Sequence, residues 1–292
     1  MIPRFNAHTF SGITPAMLEA YNRDGVLVLD NLVSAEACDT LRTHMNTMIE
    51  GFDIEEHRSV FSSTSQMHAQ DQYFLESGHT VRFFFEEEAF DENGALTAPL
   101  PLALNKVGHA MHDTNEGFST FSRQPAFEQV CKGLGIATPL PLQSMYIFKQ
   151  PHIGGEVLCH QDATYLRTEP QTCIGLWIAL EDATLENGCL WGIPGGHRDA
   201  GGLRSLFRRA DDDKGTYTET LSDIPFEEDK KVPIVAPKGT VLAFGGLFPH
   251  MSSPNRSNKS RHAYTLHVID DAAEYPKDNW LRRPANMPLK GF

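Results

Sequence analysis

The chain has 292 residues, with 25 Lys+Arg against 38 Asp+Glu, a net charge of −13. Such an acidic balance excludes the basic face of a nucleic-acid binder and gives no adhesion to anionic membranes. With 40% hydrophobic and 22% charged residues, the composition is that of a folded chain able to bury a core without staples. Five cysteines (Cys38, Cys131, Cys159, Cys173, Cys189) occur without a C-x-x-C pair, so reduced, cytoplasmic thiols are expected. No apolar run is long enough for a membrane helix, the N-terminus has no apolar signal core, and the tail PLKGF is not a peroxisomal address.

In chain order, Thr14-Pro15 opens a helix that Gly25 closes. VLVLD (26–30) reads as a strand, and Ser34 caps a helix to about Glu50. Residues 51–80 show no period. TVRFFFEE (80–87) reads as a strand; 101–112 and 125–134 read as helices. From Leu140 strands dominate: 142–150, 172–181, 189–194, 231–236, 240–245 and 263–269. Asn187-Gly188 is a hairpin signal between two of them. Residues 198–231, with RRADDDKG and FEEDKK, read as a solvated insertion or a lid. Helices first and strands after predict an α+β, mainly β protein. One domain is expected over 1–292, with a helical part to about 139 and a β core at about 140–270.

The chemistry gathers at Cys159-His160-Gln161-Asp162. In an extended segment residues i and i+2 share a face, so His160 and Asp162 project together. They supply two members of a 2-His-1-carboxylate site for non-haem Fe(II). His250, in LFPHMSS after a strand, is the candidate third. Three ligands on one face of an octahedron leave room for a bidentate co-substrate and O₂. Arg261, opening the last strand, can pair with a carboxylate through its fork. His109, His112, His152, His262 and His267 lack a carboxylate two residues on and read as structural or solvent-exposed; His197, which has Asp199 two residues on in a turn after Pro194-Gly195-Gly196, is read the same way.

Residues 143–162 (QSMYIFKQPHIGGEVLCHQD), 175–197 (GLWIALEDATLENGCLWGIPGGH) and the tail from His250 to Arg261 resemble the phytanoyl-CoA dioxygenase family. RFFFEE (82–87) followed by LNKVGHAMH (104–112) extends the likeness. The resemblance implies a double-stranded β-helix, or jelly roll, with N-terminal helices packed on it. It also implies iron ligation by His160, Asp162 and His250, and a 2-oxoglutarate site with Arg261 on the distal carboxylate. Lys106, Met145, Trp177 and Ser252 match positions lining that co-substrate pocket. The implied reaction consumes O₂, converts 2-oxoglutarate to succinate and CO₂, and hydroxylates a small-molecule substrate. Pro194-Gly195-Gly196-His197 departs from the family's P-G-S-H. The other readings are a non-catalytic 2-oxoglutarate or iron sensor and a cupin-type metal isomerase. Phe148, Gln150, Tyr165 and Trp191 are candidates to face the substrate, and Arg208-Arg209 is the only basic pair placed to receive CoA phosphates.

Overall fold

The computed structural model describes residues 1–54, 58–61, 72–211 and 215–292. Its strands are β1 (Arg4–Asn6), β2 (Val26–Asp30), β3 (Val81–Phe85), β4 (Leu104–His109), β5 (Pro139–Ile147), β6 (Val157–His160), β7 (Ile174–Ala179), β8 (Leu190–Gly192), β9 (Ser205–Arg209), β10 (Thr216–Thr220), β11 (Val232–Ile234), β12 (Val241–Gly245), β13 (His250–Ser252) and β14 (Ala263–Asp270). They form a major sheet β1-β2-β12-β7-β14-β5-β4-β3, a minor sheet β11-β8-β13-β6 and the hairpin β9–β10.

The major sheet is apolar on both faces, and strand alternation assigns each residue to one of them. Leu176, Ile178, Ala243, Tyr264 and Leu266 point outward. There they bury against α2 (Ala35–Glu50), through Leu41 and Met45, and against Phe118, Phe127 and Val130 of the later helices. Trp177, Ala179, Leu242, Phe244 and Ala263 point inward and pack on Leu190, Ile234 and Phe248 of the minor-sheet layer. The two sheets therefore sandwich one interior, the jelly-roll arrangement expected, with helices on the outside of the larger sheet.

The helix α1 (Pro15–Asp24) and α2 start and stop where expected. Thr14 and Ser34 accept from the first-turn backbone, and Gly25 ends α1 at φ +82°. Three expectations need correction. Residues 101–112 are not one helix: β4 runs through them between single turns at Leu100–Ala103 and Met111–Thr114, because β3 and β5 pair with it on both sides. Hence His109 and His112 do not share a helix face. Asn187-Gly188 is not a hairpin turn either. It lies on the crossover from β7 in the major sheet to β8 in the minor one, with Asn187 bonded to Thr184, Asp182 and Ser260. Finally, 198–231 is more than a solvated loop: Arg204, Ser205, Phe207, Thr218 and Phe226 wall the interior cavity. Residues 212–214 of its acidic run, and 55–57 and 62–71 of the aperiodic stretch, lie outside the described residues.

Candidate metal centre and co-substrate cavity

A cavity of about 600 Å³ opens between the sheets. At its floor His160 ends β6 and His250 begins β13, as direct partners in the antiparallel ladder. Asp162 follows on the turn Asp162–Thr164. The donor atoms of His160, Asp162 and His250 all lie within 4.8 Å of one another. Each histidine Nε2 stands 3.7 Å from the same Asp162 Oδ1.

Backbone contacts set the tautomers. His160 Nδ1 lies 2.8 Å from the Leu158 carbonyl, and His250 Nδ1 lies 3.0 Å from that of Phe248. Each Nδ1–H donates there, which leaves both Nε2 lone pairs aimed at Asp162. Burial and then the neighbouring His250 push His160 down to about 4, so the ring is neutral near pH 7. Burial would raise the Asp162 carboxyl, but His267, His250 and His160 together hold it well below the ordinary carboxylate range. One carboxylate and two imidazole nitrogens on one face are a donor set for a divalent iron-type ion.

Two supports of the centre go beyond the sequence reading. His267 is not merely structural: its Nε2 donates to Asp162 Oδ2 at 3.0 Å. That bond turns Oδ1 toward the histidines. Gly175 on β7 makes the room, since a Cβ there would lie 2.9 Å from Asp162 Oδ2. The alternation of β14 carries the signal: Ala263, Thr265 and His267 share the inward face. Gln161 has a purely structural part. Its Nε2 donates to Gly202 and Leu247 carbonyls, and its Oε1 accepts from Arg204 N–H. It thereby ties the start of the 198–231 segment to the loop before His250. Replacing His267 with Phe, which keeps a ring and removes the donor, is expected to lower metal affinity about 10- to 100-fold. A metal titration that returns wild-type affinity would refute that support.

Arg261 lines the same cavity and is 1% exposed. Its Nε donates to Gly188 O at 3.1 Å, its Cζ lies 5.4 Å from the Trp177 ring centroid, and its Nη1 has no partner among the described residues. Burial lowers its pKa only to about 10, so it stays charged. A charged guanidinium on the cavity wall with Nη1 unpartnered among the described residues fits a carboxylate. Trp177, Met145 and Ser252 line the same cavity. Lys106 lines it too, from β4 and not from a helix. It is buried, its Nζ sits 3.1 Å from the Phe61 ring centroid, and burial pushes it down to about 7.

Of the candidates for facing the substrate, Tyr165 lines the cavity. Phe148 packs in the outer core, Gln150 bonds the Pro101 carbonyl, and Trp191 packs with the inner apolar cluster. Arg208 is paired with Glu219 and Asp278.

Residues 21–263 match the model of the family described as Phytanoyl-CoA dioxygenase (PhyH). The chain belongs to the phytanoyl-CoA dioxygenase family. Among its relatives, a phytanoyl-CoA dioxygenase of Arabidopsis thaliana is 43% identical over 277 residues, covering 94% of this chain and 95% of the relative. Phytanoyl-CoA dioxygenase domain-containing protein 1 of Danio rerio is 41% identical over 287 residues, covering 95% and 97%. Among solved structures, the carbocyclase SnoK from nogalamycin biosynthesis aligns with TM-score 0.63 at 18% identity, covering 98% of this chain and 99% of that one. EctD from S. alaskensis, solved with 2-oxoglutarate and 5-hydroxyectoine, aligns with TM-score 0.62 at 19% identity, covering 99% and 94%. The two structures share the jelly-roll fold with this chain. As a member of the phytanoyl-CoA dioxygenase family, the chain is a 2-oxoglutarate-dependent dioxygenase that works with Fe(II). No described helix is long and apolar enough to cross a membrane.

Proposed function

We propose that this dioxygenase couples oxidative decarboxylation of 2-oxoglutarate, to succinate and CO₂, with hydroxylation of a small-molecule substrate. One oxygen atom of O₂ enters succinate and the other the substrate. The observation that carries this reading is a convergence: two histidine Nε2 atoms and a carboxylate oxygen within 4.8 Å of one another, and on the wall of the same cavity a buried guanidinium whose Nη1 has no partner among the described residues.

In this reading His160, Asp162 and His250 hold Fe(II), which when bound supplies the open coordination positions and the electrons that O₂ activation needs. Arg261 holds the distal carboxylate of 2-oxoglutarate, and Ser252, Trp177, Met145 and Lys106 line its path. Asp162 brings one negative charge to the metal, and His267 keeps that carboxylate from turning away. Trp177 covers the guanidinium and excludes water from the ion pair. The remaining cavity, walled by Tyr165, Phe207 and Trp280, takes the substrate.

We read the whole chain as one oxygenase unit, supported by an outer core shared between the N-terminal helices and the late strands β12 and β14. Cytoplasmic residence is part of the proposal, supported by five unpaired cysteines. The test is anaerobic reconstitution with Fe(II), followed by 2-oxoglutarate and O₂, with succinate read by NMR. Succinate in step with 2-oxoglutarate loss is expected. If 2-oxoglutarate binds and is recovered intact, the chain is a sensor or an enzyme that turns over only with its own substrate present; if neither metal nor 2-oxoglutarate binds, the ligand assignment fails as a whole.

A further inference from the structure

Among the buried cations that line the cavity, Lys149 stands with Arg261 but outside the positions that the family resemblance implies. It is 3% exposed, just beyond β5, with its backbone in the left-handed region at φ +44°. Its carbonyl is held by Arg261 N–H at 3.2 Å and by Asn255 Nδ2 at 2.9 Å. Its stem crosses Gly188, where a Cβ would lie 2.7 Å from Lys149 Cε. Arg261 Nε bonds the carbonyl of the same glycine. One glycine thus seats both cations.

The Lys149 ammonium makes two hydrogen bonds, to the Gly155 carbonyl at 2.5 Å and to Ser252 Oγ at 2.8 Å. The charged amine only donates, so whenever Lys149 is protonated Ser252 accepts there. That fixes the hydroxyl with its proton pointing elsewhere, and among the described residues no acceptor takes it. Two neighbouring buried cations repel, and burial and then Arg261 push Lys149 down to about 7. Glu86 and Glu156 are the acids that act on it, and Glu86 is already engaged with Asn105 and the Gly155 N–H. A carboxylate arriving between Arg261 and Ser252 would relieve the repulsion and accept the idle proton.

We propose that Lys149 is a positioning residue for the co-substrate: it commits the Ser252 hydroxyl proton to the distal carboxylate of 2-oxoglutarate, and so makes the cavity selective for a dicarboxylate. This rests on the co-substrate site proposed above.

The test compares two ligands by anaerobic calorimetry on the full chain loaded with Mn(II). One is 2-oxoglutarate; the other is 2-oxopentanoate, the same carbon chain with a methyl in place of the distal carboxylate. Wild type is expected to prefer 2-oxoglutarate. Lys149→Met should shrink that preference about tenfold, the loss of one hydrogen bond to a charged group, while 2-oxopentanoate and Mn(II) bind as before. Ser252→Ala should shrink it similarly, and the double variant should lose about as much as either single one. A Lys149→Met protein with undiminished preference overturns the proposal. So does a double variant whose losses multiply to about 100-fold, because then the two groups act independently. If Lys149→Met does not fold, Ser252→Ala decides alone: an unchanged preference there removes the hydroxyl from the contact and overturns the proposal. A wild type without preference for 2-oxoglutarate would instead sink the co-substrate site itself.

Discussion

Asp162→Ala is expected to abolish conversion of 2-oxoglutarate to succinate and to lower Fe(II) affinity by more than about 100-fold. Loss of a supporting partner alone gives about 10- to 100-fold, and Asp162 is the ligand, not the support. It carries the only negative charge among the three donors, and both histidine Nε2 atoms lie 3.7 Å from its Oδ1. It also holds His267. Asp162→Asn separates charge from shape. The amide keeps the volume and an oxygen, but its neutral group no longer offsets the metal's charge, so affinity should fall by a similar factor. Metal content after dialysis and the succinate assay read both variants. A thermal melt near that of wild type shows that the loss is local. Iron retained at wild-type affinity in Asp162→Ala would remove this residue from the metal centre.

The second large effect is expected at Arg261. Truncating one partner of a buried, hydrogen-bonded charge pair costs about 2–5 kcal/mol, so Arg261→Leu should weaken 2-oxoglutarate by about 30-fold or more. Metal affinity should be unchanged, because the guanidinium touches Gly188 and Trp177 and no metal donor. Arg261→Lys should fall between the two, since it keeps the charge and loses the two-pronged fork. Calorimetry with and without the metal reads this directly. An Arg261→Leu protein that binds 2-oxoglutarate like wild type would place the distal carboxylate elsewhere.

The centre was legible where chemistry is encoded locally. His160 and Asp162 are two apart at a strand end, so their common direction follows from the backbone. His250 and Arg261 stand beside strands of recognisable pattern. His267 was not legible for the same reason in reverse: its partner, Asp162, is distant in the chain, and only the register of β14 against β7 brings them together. Lys149 was hidden by its neighbours in sequence, which say nothing of Ser252 until β13 is laid beside β6 and β8.

The fold was readable in outline and wrong in specific places. The strands rich in apolar residues announced themselves because both faces of the major sheet are covered. Residues 104–109 did not, because Gly108 and the helical turns at either end obscure a strand that only β3 and β5 hold in place. Asn187-Gly188 carries a genuine turn preference, and the chain uses it to cross between sheets. The charged run at 208–231 suggested solvent. Alternation on β9 and β10 nonetheless sends Phe207 and Thr218 into the cavity while Arg208 pairs outside it.

The most direct test of this account is an anaerobic titration of the metal-free chain with Fe(II), followed by 2-oxoglutarate, in wild type and in Asp162→Ala. The account predicts one tightly held Fe(II) per wild-type chain and 2-oxoglutarate binding that strengthens when the metal is present; the variant should show neither. Equal 2-oxoglutarate affinity with and without Fe(II), or a variant that holds iron as tightly as wild type, would contradict it.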